Sequence, residues 1–285
     1  MAFGGAAREL GRAVLALAAF YAAVGLGVLP MYAAVAQGLI GRSAASVAFP
    51  AWVAAVVLFV NGQLVRRRLT TWGDLGWRGP RPDASAFGSG AAIGAAMAAG
   101  AVVLAVVLGS AAIVTTGEPL TALAGVALRL VVFLGLAALV EELLFRGYPL
   151  ARLARALGRA PASLAFAIVF AAVHLGNPAV SAFGLVNIGL ASLVLSAAFF
   201  APGGLPLAWG VHFGWNAGLA IADAPVSGLS FDLPGLDFVT GAPAWVTGGA
   251  FGPEGGVVAS VVMLIALAVL VRSRVGDPRE EMTPA

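Results

Sequence analysis

Apolar runs long enough to cross a lipid bilayer recur along most of this 285-residue chain, and they constrain its fold more than any other feature. A helix rises about 1.5 Å per residue and the hydrocarbon core is about 30 Å thick, so roughly 20 apolar residues make one span. Such runs lie approximately over 13–40, 44–65, 87–114, 120–145, 161–176, 180–200, 204–222 and 255–271. They predict an all-α, polytopic integral membrane protein of about eight transmembrane helices, because a helix satisfies its own backbone where water cannot. Only 10% of residues are charged, against about a quarter in soluble domains, which argues against an ordinary water-soluble enzyme. With no Cys, the chain cannot use disulfides, thiol nucleophiles, iron–sulfur clusters or thiolate zinc sites.

Every one of the 16 basic residues is Arg. They punctuate apolar runs instead of gathering on one amphipathic element, so they read as orientation signals and not as a nucleic-acid surface. With the N-terminus in the cytoplasm, Arg8, Arg12, Arg66, Arg67, Arg68, Arg78, Arg81, Arg146, Arg152, Arg155, Arg159, Arg272, Arg274 and Arg279 fall on the inner side. Arg42 alone is left in an outer loop, and Arg129 lies inside the fourth span, where it must snorkel or pair. Both termini are therefore expected in the cytoplasm, and 223–253, with Asp223, Asp232 and Asp237 but no Arg, is expected to be a long outer loop. The heavy Ala, Gly, Val and Arg usage resembles that of a GC-rich bacterial genome, and a bacterial inner membrane is the expected location.

The segment 1–36 imitates a signal peptide, with Arg8 and Arg12, an apolar stretch, the breaker Pro30 and then Ala34-Val35-Ala36. Its apolar stretch exceeds a usual signal core, so a retained first helix is the preferred reading. Leu69–Ser85, with Trp72, Trp77 and Asp74, reads as an interfacial loop, and Gly90 and Gly94 make one GxxxG helix-packing pair.

Ionisable groups at membrane depth are costly, so those that occur mark bundle interiors or wet cavities. Both His residues of the chain, His174 and His212, sit in apolar runs, and Glu141-Glu142 with Arg146 ends the fourth. Glu142 and Arg146 are four residues apart and can pair on one helix face, while Glu141 is turned about 100° away toward another neighbour. His212 and Asn216 share a face in the same way. No Ser or Lys stands beside a His at a spacing that argues for a covalent nucleophile, so an activated water is the simpler attacking species.

Glu141-Glu142-Leu143-Leu144-Phe145-Arg146 resembles the EExxxR motif of the CAAX protease and bacteriocin-processing family (CPBP, or Abi) of intramembrane proteases, which includes the type II CAAX prenyl endopeptidases. Phe170-Ala171-Ala172-Val173-His174 is similar to the family's FxxxH motif, and His212-Phe213-Gly214-Trp215-Asn216 to its HxxxN motif, in the family's order. The resemblance implies that Glu141 and His174 polarise a water for attack on a peptide carbonyl, and that His212 and Asn216 stabilise the oxyanion. It implies organising roles for Glu142, Arg146 and Phe170. Relatives are commonly called metalloproteases, and Glu141, His174 and His212 form the two-His-one-carboxylate set that a divalent metal such as zinc favours; a water held by Glu and His needs no ion, so metal dependence stays open.

The organisation expected is a set of about three N-terminal membrane helices over 1–119 with a cytoplasmic loop at 66–86, and a catalytic core over 120–222 opening toward the cytoplasm. An outer loop over 223–253 and a last membrane helix with a cytoplasmic tail over 254–285 complete it. The activity implied is hydrolysis of a peptide bond in a membrane-associated or lipophilic protein or peptide, either CAAX-like processing or peptide maturation. The partners are that substrate and the lipid bilayer, with no nucleic acid, and oligomeric state is open. Two other classes compete: a non-catalytic immunity or regulatory protein that binds a peptide, and a small proton-coupled transporter.

Overall fold

The computed structural model describes residues 2–108, 111–117 and 120–273. Arg274 and Arg279 of the expected cytoplasmic tail lie outside the described residues. The chain is almost wholly helical: α1 Ala2–Ala36, α2 Arg42–Arg66, α3 Pro80–Val107, α4 Leu120–Phe145, α5 Tyr148–Leu157, α6 Arg159–Val173, α7 Ala182–Phe200, α8 Gly204–Ile221, the single turn α9 Ala244–Thr247, and α10 Val257–Arg272. Four of these, α1, α2, α3 and α7, are long and apolar enough to cross a membrane; α6 and α10 are apolar but shorter.

Three local expectations are corrected. Pro30 does not break the first run; α1 continues through it to Ala36, since one lost backbone bond is tolerated within an otherwise complete helix. The third run does not stay helical to 114. α3 ends at Val107, and β1 Ala111–Thr115 pairs antiparallel with β2 Leu236–Thr240, because Ile113, Val114 and Thr115 are β-branched and a short apolar run carries no period to separate helix from strand.

The third correction is α5, an amphipathic helix between Gly147 and Gly158 that buries Tyr148, Pro149, Leu150 and Leu153. Its Arg residues face outward and tie it to neighbours: Arg155 reaches Asp74 at 2.7 Å and Arg152 reaches Glu9 at 3.8 Å. Thus α5, the start of α1 and the 67–79 loop share one end of the bundle. Burial alone would raise the Asp74 carboxyl, but Arg155 and the Thr71 hydrogen bonds outweigh it and hold it below its usual range. The pair therefore stabilises the fold above the ordinary Asp value of about 4 and loses that contribution as the pH falls through the lower folded value. Asp74→Asn is expected to lower thermal stability by at most about 1 kcal/mol at neutral pH, the range for an exposed pair. Melting curves should converge with the parent once the pH has fallen through the lowered folded value of Asp74, where its carboxyl is neutral like the amide.

The closest helix pair is α3 with α8, and its contact is backbone on backbone. A Cβ at Gly94 would lie 2.1 Å from the Val211 carbonyl oxygen, and one at Gly214 would lie 2.2 Å from that of Ala91. The Gly90–Gly94 pair on α3 thus meets a Gly210–Gly214 stripe on α8. His212 stands two residues from each glycine of that stripe, about 200° around the helix. Pressing the glycine face of α8 into α3 therefore turns His212 and Asn216 the other way.

Candidate active site

Glu142 and Arg146, near the C-terminal end of α4, are both fully buried. Glu142 Oε1 accepts hydrogen bonds from Arg146 Nη1 at 3.2 Å and from His212 Nδ1 at 2.8 Å. Arg146 Nη2 also donates to Ser192 Oγ on α7 at 3.0 Å, and its guanidinium sits 4.4 Å above the centre of the Phe170 ring on α6. One carboxylate and one guanidinium therefore join α4, α6, α7 and α8. A charge this deep is stable only when paired and hydrogen-bonded, and here each is.

Glu141 points elsewhere, as the 100° offset requires. Its side chain is 33% exposed, and Oε2 lies 3.7 Å from His212 Nε2, too long for a hydrogen bond. His212 is thus flanked by Glu142 on Nδ1 and Glu141 on the Nε2 side. His174 caps the C-terminus of α6, where its Nδ1 donates to the Phe170 carbonyl oxygen at 2.7 Å. A carbonyl can only accept, so His174 carries a proton on Nδ1, and in the neutral imidazole that leaves the lone pair on Nε2. Phe170 packs between the two imidazoles, with ring centres 4.7 Å from His174 and 6.2 Å from His212.

Glu141, Phe170, His174, His212 and Asn216 all line one cavity of about 450 Å³. Glu142 and Arg146 lie behind its wall. Among the described residues, no three His, Asp or Glu side chains stand as a group that could hold a metal ion as they are arranged.

The cavity takes part of its lining from a stretch outside the core expected over 120–222. Its far wall is the 223–256 segment, which supplies Val226, Ser227, Leu229, Phe231 and Glu254. The physical reason is that this segment folds back into the bundle and does not stand off as a loop. Glu254 is buried and accepts from Trp215 Nε1 at 2.9 Å and from the Ser227 hydroxyl at 2.8 Å, as well as from the Ser227 amide. Asn187 of α7 donates to the carbonyl oxygens of Glu254 and Gly256 at 2.8 and 2.9 Å. Phe251, almost wholly buried, packs on Phe170 and Ile188. Asn187 and Ser192 were detectable as polar residues in an apolar helix; Glu254 was hidden in an aperiodic Gly- and Pro-rich stretch.

Fold and site define a class, a helical membrane protein in which two His, a Glu and an Asn from three helices share one cavity. Residues 123–218, about a third of the chain, match the family model described as type II CAAX prenyl endopeptidase Rce1-like, which supports assigning this core to the CAAX protease (CPBP) family. The match contains the residues of all three motifs and supports protease activity of the CAAX type. No curated protein and no solved structure matches the chain.

Proposed function

We propose that this protein is an intramembrane endopeptidase that hydrolyses a peptide bond of a membrane-associated protein or peptide with a water activated by Glu141 and His174. The observation that carries the proposal is the convergence of Glu141, His174, His212 and Asn216 on one cavity. The water lies between Glu141 and the lone pair on His174 Nε2; its oxygen attacks the carbonyl carbon and its proton passes to this pair. Negative charge then develops on the carbonyl oxygen, facing His212 Nε2 and Asn216. With Nδ1 already donating to Glu142, His212 donates from Nε2 only as the imidazolium. Its charge and that of Arg146 balance the two carboxylates, so the cluster is neutral overall. The C–N bond breaks as the pair returns the proton to the departing amine.

Glu142, Arg146 and Phe170 act by holding His212 and His174 in these orientations. No step is routed through a metal. Activity of the purified enzyme is expected to survive exhaustive chelation with metal content verified by elemental analysis; loss restored by one specific ion would assign Glu141, His174 and His212 to metal binding instead.

The chain is further proposed to cross a bacterial inner membrane eight times with both termini in the cytoplasm. It divides into N-terminal helices over 1–119, a catalytic core over 120–222, an outer segment over 223–253, and a last helix and tail over 254–285. The peptides of membranes expressing the parent or His174→Ala test the function. The parent should yield processed peptides that the variant lacks, whereas identical peptides with a phenotype retained would favour a peptide-binding role.

A further inference from the structure

A second cavity, of about 720 Å³, lies between α1 and α2 and shares no lining residue with the catalytic one. α1 contributes Ala16, Ala19, Ala23 and Gly27, whose side chains are too small to fill the space. α2 contributes larger apolar groups, among them Val56 and Phe59. The buried rings of Phe20 and Tyr148, with centres 5.3 Å apart, form the floor. Ala19, Ala23, Trp52 and Phe59 on its walls are exposed, so the groove is reached from outside the bundle, where the bilayer lies.

At one end of the groove the two helices are locked together. Trp52 Nε1 donates to the Gly27 carbonyl oxygen at 2.9 Å, and a Cβ at Gly27 would lie 2.6 Å from Val56 Cγ1. At the other end stand Gln63 and Arg67, whose backbones share a helical hydrogen bond of 3.0 Å and whose side chains therefore lie on one face. Arg67 is exposed, and among the described residues no carboxylate pairs with it. The fifteen residues from Trp52 to Arg67 cover about 22 Å of helix. One leaflet of hydrocarbon is about 15 Å deep, so the groove takes the length of an acyl chain that starts at Arg67. An apolar trough that ends in an unpaired guanidinium matches a molecule with a hydrocarbon chain and an anionic head.

We infer that the α1–α2 groove binds one anionic glycerophospholipid. An acyl chain lies against the Ala and Gly face of α1, and the phosphate pairs with Arg67 and accepts a hydrogen bond from the Gln63 amide. Basic pockets between membrane helices recognise anionic headgroups in this way, and the guanidinium fork suits phosphate oxygens. The lipid also braces the catalytic helix. Tyr21, next to Phe20, donates its hydroxyl to the Leu144 carbonyl oxygen at 2.8 Å, so α1 leans on the end of α4 that carries Glu141 and Arg146. The site does not depend on the protease reading.

Native mass spectrometry and thermal unfolding of the delipidated protein, with phosphatidylglycerol or phosphatidylcholine added, test the site. The parent should retain phosphatidylglycerol in preference to phosphatidylcholine and melt at a higher temperature with it. Arg67→Gln should weaken phosphatidylglycerol retention about fivefold, the effect of one charge at a membrane surface. Arg66→Gln, whose position does not line the groove, should leave retention unchanged. Ala23→Phe and, separately, Ala19→Phe should fill the groove and abolish retention of either lipid without lowering the melting temperature of the lipid-free protein. Equal retention of both lipids by the parent, equal effects of Arg66→Gln and Arg67→Gln, or lipid still held by both Phe variants would overturn the inference. So would a dimer of the parent that the Phe variants dissolve, which would assign the groove to a second copy of the chain.

Discussion

Glu141→Gln is expected to lower the rate of peptide cleavage by about three orders of magnitude, within the range for loss of a positioned general base, while the protein stays folded and inserted. The two halves of that expectation come from the same geometry. Glu141 is the partly exposed carboxylate, 3.7 Å from His212 Nε2 and without a hydrogen bond from that ring, so the amide fits where the carboxylate was. Its neighbour Glu142 is the buried one, and its Oε1 accepts from both Arg146 and His212. Arg146→Ala should therefore behave in the opposite way. It breaks a buried ion pair and leaves Glu142 with His212 as its remaining partner, a change that costs about 3–5 kcal/mol, and activity falls because the fold fails. Adjacent residues of one motif are separated into chemistry and architecture by one helical step. Measuring cleavage and thermal unfolding for both variants in detergent distinguishes them.

Gly214→Ala should destabilise the protein by about 3 kcal/mol, the upper end of the overpacking range, and abolish activity together with it. The added methyl would lie 2.2 Å from the Ala91 carbonyl oxygen. Backbone cannot swing aside as a side chain does, so α3 and α8 must separate. Separation also rotates or shifts the opposite face of α8, where His212 meets Glu142. Gly25→Ala in α1 is the matched control, since a Cβ there meets nothing within 4 Å. It should melt no lower than the parent and cleave as fast.

The helices were legible in the sequence because apolar runs of membrane length have few alternatives. Six of the eight expected runs correspond to helices within a few residues at both ends, among them 120–145 and 204–222 against the observed α4 and α8. The residues that line the cavity were legible for a related reason: His174, His212 and Glu141 break an apolar pattern that costs free energy to break. What the pattern did not carry was relative rotation. The Gly90–Gly94 pair looked weak in a chain with 38 Gly, and its importance came only from the partner stripe on α8. Least legible was 223–256. It has no helical or strand period, its ends are distant in sequence from the residues it covers, and its anchor Glu254 differs from an ordinary loop carboxylate only by contacts with Trp215 and Ser227.

The measurement that tests the catalytic site most directly is peptide release from membranes carrying the parent or Glu141→Gln at matched levels, incubated in oxygen-18 water. The proposed site predicts parent-dependent peptides whose new C-terminal carboxylates carry one oxygen-18, with the uncleaved precursors accumulating in Glu141→Gln. The same labelled peptides at the same rate in both membranes would contradict it.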